Sequence, residues 1–334
     1  MALSDIARSV EKTINRVGKQ RAVKAGWRPA VTSYYGYGDQ DRVRVLARVL
    51  MQGDEPSSEA QRGFRQFFTV QVADVPVTIT AGSQTVHART NDNGYIDVPV
   101  LDHGLEPGWQ QVKLEIEGGD PAYADVLVLE RGVRYGLISD IDDTVMVTML
   151  PRALHAAYNS WYLRTNARKA VPGMASFYEA LRERFGENMP VFYLSTGAWN
   201  TFPALDTFLK ENRFPRGPML LTDWGPTATG MFRSGQEHKK VQLRNLVIDF
   251  PDIHWILVGD DGQHDPLIYG NFVSEHPDRV TMVAIRQLTP GEHVLAHGTA
   301  TPIESGTNYT PVPWIEGSDG AALRLESAKL NDHD

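Results

Sequence analysis

The chain has 334 residues, of which 42% are hydrophobic and 22% are charged, and its net charge at pH 7 is −8. This composition is typical of a globular protein of about two domains, and the acidic balance argues against a protein that binds nucleic acid over a broad surface. The sequence contains no cysteine, which excludes disulfides, thiolate metal sites and a cysteine nucleophile.

The first 28 residues form a basic segment with the periodicity of an amphipathic helix. Apolar residues recur at helical spacing from Leu3 through Ile6, Val10 and Ile14 to Val17, with basic residues on the other face. We interpret this segment either as a terminal helix that packs on the protein or as a helix that lies on a membrane surface. The N-terminus lacks the apolar core of a signal peptide, and no apolar run approaches the ~18 residues of a membrane span. We therefore expect a cytoplasmic protein that is at most peripheral at the membrane.

Residues 29–131 follow a period of two, which predicts strands. The predicted strands are Arg42–Leu50, Val75–Thr80, Tyr95–Val100, Gln111–Glu117 and Ala124–Glu130. Asn93-Gly94 predicts a hairpin turn between two of them, and Ser57–Phe68 predicts a short helix. Several short strands without a long helix predict a β-sandwich of about 100 residues. We expect a binding or scaffolding module here, whose protein partner the sequence does not indicate.

Strands and helices alternate in residues 132–290. The predicted strands are Tyr135–Ser139, Pro190–Leu194, Met219–Thr222, Trp255–Val258 and Val280–Ile285, and the predicted helices are Met174–Arg184, Pro203–Glu211, Gln236–Phe250 and Pro266–Ser274. This alternation predicts an α/β fold with a doubly wound parallel sheet, which binds ligands at the carboxyl ends of its strands. Residues 291–334 are rich in Gly, Pro, Thr and Ser, and we expect an extended C-terminal tail.

Three carboxylates follow the first strand of this region, in the sequence Asp140-Ile-Asp142-Asp143. Alternate residues of extended backbone share a face, so Asp140 and Asp142 are predicted to point together and Asp143 away. Val145 and Pro151 occupy positions where an EF-hand loop needs Gly and Glu, and Val145 also replaces the glycine of a pepsin-like motif. The remaining interpretation is a carboxylate nucleophile with a second carboxylate as acid and base, beside a divalent cation.

Further carboxylates follow the strand Trp255–Val258, and they are candidate ligands of the same cation. Asp260 is the stronger candidate because it lies nearest the end of the strand. Asp265 precedes Pro266, which is the pattern of a helix N-cap with proline at the first helical position, and capping is compatible with a role at the metal. Whether Asp261 or Asp265 is the second acidic residue of the metal site stays open.

A candidate phosphate cradle follows the strand Val191–Leu194. Ser195, Thr196 and Gly197 supply a hydroxyl and backbone N–H groups at the end of a strand, which together can bind a phosphate. Taken alone, the three residues predict no more than a turn. Their place in a sheet that also carries Asp140 favours the cradle.

Two adjacent lysines, Lys239 and Lys240, are candidates for the cation that faces these acids. The apolar face of their predicted helix is defined by Leu243, Leu246, Val247 and Phe250. At ~100° per residue, Lys239 lies about 30° from the centre of that face and Lys240 about 70°. The periodicity therefore predicts that Lys239 points inward, where a buried lysine needs a partner, and that Lys240 is solvated.

These motifs resemble those of the haloacid dehalogenase phosphatases. The match spans about residues 132–290 and consists of Asp140-x-Asp142-x-Thr144, Ser195-Thr196-Gly197, Lys239, and Gly259-Asp260 with Asp265. More narrowly, "SDIDDTV", "YLSTGAW", "EHK" and "GDDGQHDP" resemble the actin-patch phosphatidate phosphatase family, which is related to the lipins. "YYGYG" at Tyr34–Gly38 is similar to the N-terminal region of its bacterial members.

The resemblance implies a Mg2+-dependent phosphoric monoester hydrolase. In such an enzyme Asp140 attacks phosphorus to form an aspartyl-phosphate, and Asp142 is the acid and base. Mg2+ is held by Asp140, the Asp142 carbonyl and Asp260, with Asp265 behind them. The groups that bind the phosphate are Thr144, Ser195, Thr196, Gly197 and Lys239.

The implied substrate is phosphatidate, which would be converted to diacylglycerol. The alternatives are the same chemistry on a soluble phosphomonoester, such as a sugar phosphate or a nucleotide, and a non-catalytic module that binds phospholipid. The presence of both Asp140 and Asp142 disfavours the last alternative. Met146–Leu163 is rich in Met, Leu, Trp and Tyr, and it either packs on the sheet or forms an apolar rim at a membrane interface.

Overall fold

The structure is a computed structural model that describes residues 23–24, 26–53, 70–147, 169–222, 235–297 and 311–330. The predicted N-terminal helix, the predicted helix Ser57–Phe68 and most of Met146–Leu163 lie outside these ranges. The described residues fall into two compact units, one up to Arg131 and the other from Gly132 onward. Within the described ranges, no helix is long and apolar enough to cross a membrane.

The first unit is built from eight strands in one hydrogen-bonded sheet. They are β1 (Arg28–Ser33), β2 (Gly36–Gly38), β3 (Arg42–Gln52), β4 (Pro76–Ala81), β5 (Gln84–Arg89), β6 (Tyr95–Leu101), β7 (Gly108–Ile116) and β8 (Ala122–Val128). Their order is β1-β3-β2-β8-β7-β4-β5, with β6 paired to β3. The pairings are antiparallel except for the parallel pair of β2 and β8.

The core of the first unit comes from the alternating apolar residues of these strands. Val45, Val49, Ile79, Leu114 and Val126 are fully buried, while the residues between them on β4 and β7 are more exposed. The five strands predicted from the period of two are present, with ends that differ by up to three residues. The structure adds β1, β2 and β5, which the sequence pattern did not reveal.

The turn at Asn93-Gly94 forms, but the hairpin predicted from it is wrong. Gly94 has a φ of +78° and donates its N–H to the Asn91 carbonyl at 2.9 Å. However, β5 pairs with β4, and β6 pairs with β3 from Arg42↔Leu101 to Arg48↔Tyr95. The long strand β3 therefore supplies the partner of β6, and the turn joins two strands that do not pair with each other.

The second unit contains eight strands and six α-helices among the described residues. The strands are β9 (Tyr135–Ser139), β10 (Met146–Val147), β11 (Lys169–Ala170), β12 (Val191–Ala198), β13 (Met219–Thr222), β14 (His254–Asp260), β15 (Val280–Arg286) and β16 (Trp314–Gly317). The helices are α1 (Met174–Phe185), α2 (Phe202–Glu211), α3 (Gly235–Asp249), α4 (Asp265–Glu275), α5 (Pro290–His297) and α6 (Gly320–Lys329).

Six of these strands form one sheet in the order β13-β12-β9-β14-β15-β16, and every pairing in it is parallel. β10 and β11 form a separate antiparallel pair. β9 and β13 have the predicted bounds, whereas β12 continues to Ala198 and β14 to Asp260. Residues 314–329, which were expected to be part of an extended tail, form β16 and α6, and they bury Ile315 and Leu323.

The predicted fold class, a doubly wound α/β sheet preceded by an all-β sandwich, is wrong for this chain. Strand residues outnumber helical residues in the described ranges, so the protein is sheet-rich. Moreover, the strands of the first unit belong to one mixed sheet rather than to two packed sheets. The prediction failed because β1, β2 and β16 are short or carry Pro or Gly, and because most residues of β5 are polar. Long-range pairing rather than local pattern makes these segments strands.

The neighbouring strands β9 and β14 determine where the candidate site lies. Their register runs from His254↔Tyr135 to Val258↔Ser139, so both strands end at the same edge of the sheet. Ligands bind at the carboxyl ends of parallel strands. β12 and β13 lie on one side of β9, and β14 to β16 lie on the other, so the ends of β9 and β14 lie near the middle of this edge.

Candidate active site

Lys239 joins two carboxylates at this edge of the sheet. Its Nζ lies 2.6 Å from Asp140 Oδ1 and 2.5 Å from Asp265 Oδ1, and none of the three side chains is more than 3% exposed. Helix α3 buries Lys239 together with Leu243, and it leaves Lys240 partly exposed. This placement agrees with the helix phase predicted from periodicity.

The backbone around Asp140 is fixed on both sides. Its N–H donates to the Val258 carbonyl of β14 at 2.9 Å, which continues the sheet past the end of β9. Its own carbonyl accepts the hydroxyl of Ser139 at 2.6 Å, and that hydroxyl lies 2.5 Å from the hydroxyl of Tyr178 on α1. The carboxylate is thus presented from a rigid strand end.

Asp260 and Asp265 approach from the end of β14 and the start of α4. Asp260 is fully buried, and its carboxylate accepts the Gly262 N–H at 2.8 Å and the Thr144 hydroxyl at 3.4 Å. Asp265 is not the helix N-cap that the sequence suggested, because His264 occupies that position and the Asp265 carboxylate accepts from Lys239. Gly259 permits this approach, since a Cβ there would lie 2.7 Å from Asp265 Oδ2.

The three buried carboxylates fit a divalent cation. One oxygen of each of Asp140, Asp260 and Asp265 lies within 4.8 Å of the others. Asp140 Oδ2 and Asp265 Oδ2 are buried and accept no hydrogen bond from the residues that the structure describes. Three carboxylates face one ammonium, so a divalent cation would balance the remaining charge, and an all-oxygen donor set suits a hard cation.

Asp261 does not belong to this cluster. Its Oδ1 accepts the Leu288 N–H at 2.8 Å and lies 3.4 Å from His293 Nε2. The structure therefore places Asp265, rather than Asp261, beside Asp140 and Asp260. The assignment of either residue to a metal site stays a prediction.

Burial dominates the electrostatics of the cluster. It raises the pKa of both Asp140 and Asp260 well above the ordinary value, and the charge of Asp265 adds to this while Lys239 opposes it. Burial alone would lower the pKa of Lys239, but the nearby carboxylates together raise it, so the lysine stays protonated. A bound cation would stabilise the ionised carboxylates and so reduce the cost of burying them.

The second part of the site joins Asp142 to the predicted phosphate cradle. Ser195 is 1% exposed, and its hydroxyl donates to Asp142 Oδ2 at 3.2 Å and accepts the Gly197 N–H at 2.9 Å. The residues Ser195, Thr196 and Gly197 lie within the last part of β12, beyond the strand end that was predicted, where its register with β13 shifts. The Thr196 side chain is exposed. The structure thus links all the predicted site residues through direct contacts or adjacent positions.

Arg286 was not among the predicted site residues, and the sequence assigned no role to Asp143. Arg286 ends β15, is 5% exposed and donates to the Asp143 carbonyl at 2.7 Å. A charged residue at the end of the apolar strand "VTMVAIR" was a usable signal. Asp143, which was predicted to point away from Asp140 and Asp142, is buried and adopts a φ of +61°.

Comparison with known proteins agrees with the motifs. Residues 135–287 match the family described as phosphatidate phosphatase APP1, catalytic domain. The predicted family resemblance is confirmed. The matched range contains all of the predicted site residues, from Asp140 to Asp265. The wider resemblance to the haloacid dehalogenase phosphatases stays a prediction.

Two relatives are fungal proteins. The chain is 28% identical over 152 residues to phosphatidate phosphatase APP1 of Saccharomyces cerevisiae, which covers 45% of this chain and 25% of that protein. It is 23% identical over 166 residues to an uncharacterized protein of Schizosaccharomyces pombe, which covers 49% and 27% of the two chains. The matches thus span about a quarter of each relative.

Solved structures add little. A carbohydrate acetylesterase from Xanthomonas citri aligns over 78% of this chain and 68% of its own, with 10% identity and a TM-score of 0.29. A TM-score this low supports no conclusion about fold or function.

Proposed function

We propose that this chain is a phosphatase that hydrolyses phosphatidate to diacylglycerol and inorganic phosphate with the help of Mg2+. One observation carries the proposal. The part of the chain similar to an APP1 catalytic domain contains a buried Lys239 that bridges Asp140 and Asp265 beside Asp260. Like-charged carboxylates at a strand end are costly to bury. A phosphoryl-transfer site needs such carboxylates to bind a metal ion and to react with the phosphoryl group.

Asp140 is the proposed nucleophile. Its Oδ1 is held by Lys239, while its Oδ2 accepts no hydrogen bond within the described part of the chain. Attack by Asp140 on phosphorus forms an aspartyl-phosphate and breaks the bond between phosphorus and the alkyl oxygen of the lipid. Attack by water on this aspartyl-phosphate then releases phosphate and restores the carboxylate.

Asp142 is the proposed acid and base. Its carboxylate accepts from Ser195, so it is oriented toward the predicted cradle. In the first step it gives a proton to the leaving alkoxide, and in the second it takes a proton from the attacking water. The proton lost in the first step is thereby replaced, and Asp142 ends each cycle protonated, as it began.

The remaining groups stabilise negative charge. Lys239, the Ser195 hydroxyl, and backbone N–H groups near Thr196 and Gly197 are proposed to bind the phosphoryl oxygens, with Thr144 supporting Asp260. Asp140, Asp260, Asp265 and the Asp142 carbonyl would hold Mg2+. When it is bound, this ion supplies positive charge next to the transferring phosphoryl group.

The lipid substrate is favoured over a soluble phosphomonoester by the family match and by the basic residues in the first 28 positions. Each Lys or Arg near an anionic bilayer contributes about 1 kcal/mol of attraction. We propose that this segment brings the site to the membrane surface. We propose that the first unit is non-catalytic, because the predicted site residues all lie after Gly132.

The test compares hydrolysis of phosphatidate in mixed micelles with hydrolysis of a panel of soluble phosphomonoesters, with and without Mg2+. We expect Mg2+-dependent release of phosphate from phosphatidate and none from the folded Asp140→Asn variant. Asp206→Asn, which alters a surface pair with Lys210 on α2, is the matched control and should keep full activity. Preference for a soluble substrate, without sedimentation on phosphatidate liposomes at low salt, would favour the alternative.

A further inference from the structure

Arg286 is a buried cation that lies outside the proposed reacting groups. Its Nη1 donates to the Asp143 carbonyl at 2.7 Å, its Nη2 to Glu292 Oε1 at 2.6 Å and its Nε to the Ser318 carbonyl at 3.2 Å. Every nitrogen of the guanidinium is therefore paired, and Arg286 as a whole is only 5% exposed. A guanidinium with all its nitrogens bound holds its partners in one geometry.

These contacts connect three strand ends. β14 lies between β9 and β15, so Arg286 reaches across the end of β14 to the turn that follows β9. β9 and β15 are two strand spacings apart, which is about 10 Å, and an extended arginine side chain covers most of that distance. Ser318 follows β16 on the opposite side of β15. The side chain thus ties the turn that carries Asp142 to the far side of the sheet.

Asp143 is the residue that this contact holds. It is a non-glycine residue with a φ of +61°, a left-handed conformation that is uncommon outside glycine and that Asp tolerates better than most residues. Its N–H donates to the Met146 carbonyl at 2.7 Å, and its carbonyl accepts from Arg286. Asp142 precedes this residue and Thr144 follows it, so a rotation of either adjoining peptide would redirect their side chains.

Glu292 keeps the guanidinium in place. Its second oxygen accepts the N–H and the hydroxyl of Thr289 at 2.8 Å and 2.9 Å, which fixes it at the start of α5. Its Oε1 accepts from Arg286. The same segment also holds the turn after β14, because the Leu288 N–H donates to Asp261. The turns after β9 and β14 are therefore held by one short stretch, residues 286–292.

We propose that Arg286 is a positioning residue, which holds the Asp143 peptide and so aims Asp142 at the leaving group. This inference rests on the proposed function, in which Asp142 protonates the leaving alkoxide. Lysine at position 286 would keep the charge beside Glu292, but it lacks the planar fork that reaches Asp143, Glu292 and Ser318 together. Arg286→Lys is therefore the informative substitution.

The test compares kcat/KM on two substrates with different leaving groups. Phosphatidate releases an alkoxide that needs a proton, whereas p-nitrophenyl phosphate releases a phenolate that leaves without one. We expect Arg286→Lys to lose at least about tenfold more activity on phosphatidate than on the aryl ester, since only the former depends on general acid catalysis. A smaller folded fraction would lower both activities by the same factor, so equal losses would overturn the proposal.

Arg244→Lys is the matched control. Arg244 also pairs with a glutamate, Glu275, in the same unit, but both side chains are nearly half exposed and lie on α3 and α4. We expect this variant to match the wild type on both substrates. A loss as large as that of Arg286→Lys would mean that any arginine replacement disturbs the enzyme, and the proposal would fail.

Amide hydrogen exchange tests the contact without reference to activity. We expect faster exchange over residues 141–146 in Arg286→Lys, and no change in Arg244→Lys. If Arg286→Lys does not fold, Glu292→Gln takes its place, and we expect the same changes in activity and in amide exchange but of smaller magnitude. Unchanged exchange in a folded variant would overturn the positioning role alone. A wild type inactive on both substrates would instead overturn the proposed function, and the role assigned to Arg286 in catalysis with it.

Discussion

Lys239 Nζ lies 2.6 Å from Asp140 Oδ1 at a position where both side chains are almost completely buried. Removing two charges from water costs several kcal/mol per ion, and their attraction rarely returns more than this. The pair is therefore a poor means of stabilising the fold. It suits the roles proposed for Asp140 as nucleophile and for Lys239 as phosphate-binding cation, because it would hold both groups in fixed positions before the substrate arrives.

The two adjacent lysines provide a prediction about Lys239. Lys239→Ala removes a fixed charge from the transferring phosphoryl group and should lower kcat by roughly 100-fold or more. It also leaves Asp140 and Asp265 without their partner, so we expect a loss of about 3 kcal/mol in the free energy of unfolding. Lys240→Ala should change neither quantity appreciably. Steady-state kinetics and urea titrations of the two purified variants would check this, and the reverse ranking would refute the assignment.

Mg2+ should stabilise the folded protein through the carboxylate cluster. A ligand that binds only the native state adds about 2.7 kcal/mol at 100 times its Kd, so above Kd the melting temperature should keep rising with the logarithm of the Mg2+ concentration. Asp260→Asn removes one carboxylate of the cluster and should abolish most of this shift. Matched ionic strength in NaCl serves as the control. An equal rise in wild type and Asp260→Asn would place the ion elsewhere.

Some residues of the candidate site could be predicted from the sequence and others could not, for physical reasons. Asp140, Ser195 and Asp260 were predictable because parallel strands bring their carboxyl ends to one edge, so position along the chain implies proximity. Lys239 was predictable because helical periodicity separates it from Lys240. These residues could therefore be predicted from local patterns along the chain.

Other contacts depend on tertiary pairing, which no local pattern encodes. Arg286 contacts Asp143 only because β9 and β15 are the two neighbours of β14 in the sheet. Ser139 contacts Tyr178 only because α1 packs beside β9. The missed strand β2 is three residues long and contains Gly36 and Gly38, which allow close approach to β3. The wrong fold class followed from the same limit, since β-strand formation depends on partners.

The buried carboxylates also give a prediction for pH. Burial raises the pKa of Asp140 in the folded state, while the unfolded chain has the ordinary value of about 3.9. Between these two values the folded state binds the extra proton, so metal-free stability falls as pH rises through this window. The asparagine side chain of Asp140→Asn cannot ionise, so this variant does not lose stability through this group as pH rises. Its stability relative to wild type should therefore increase from about pH 4 upward.

Denaturant titrations at several pH values, in EDTA and in Mg2+, would measure this difference. In Mg2+ the advantage of Asp140→Asn should shrink or reverse, because the ion stabilises the ionised carboxylate. A difference that is independent of pH, with or without metal, would show that Asp140 does not titrate with folding.

Gly259 and Gly270 form a matched pair for the last prediction. A Cβ at position 259 would lie 2.7 Å from both Asp265 Oδ2 and the ring of Tyr269, whereas a Cβ at position 270 on α4 would meet nothing within 4 Å. Gly259→Ala must therefore displace Asp265 or the Tyr269 ring. We expect a loss of about 1–3 kcal/mol in stability and of about tenfold or more in kcat, since small displacements of reacting groups are costly.

Gly270→Ala should instead stabilise the protein by about 0.5–1 kcal/mol, because alanine loses less conformational freedom than glycine in a helix. Its kcat should equal that of the wild type. Phosphatase assays and thermal unfolding of both variants separate the two effects, since one substitution adds a methyl group beside the carboxylates and the other adds it at an open position. Full activity in Gly259→Ala would contradict the prediction. It would mean either that the Tyr269 ring alone moves aside or that the position of Asp265 does not matter for the reaction.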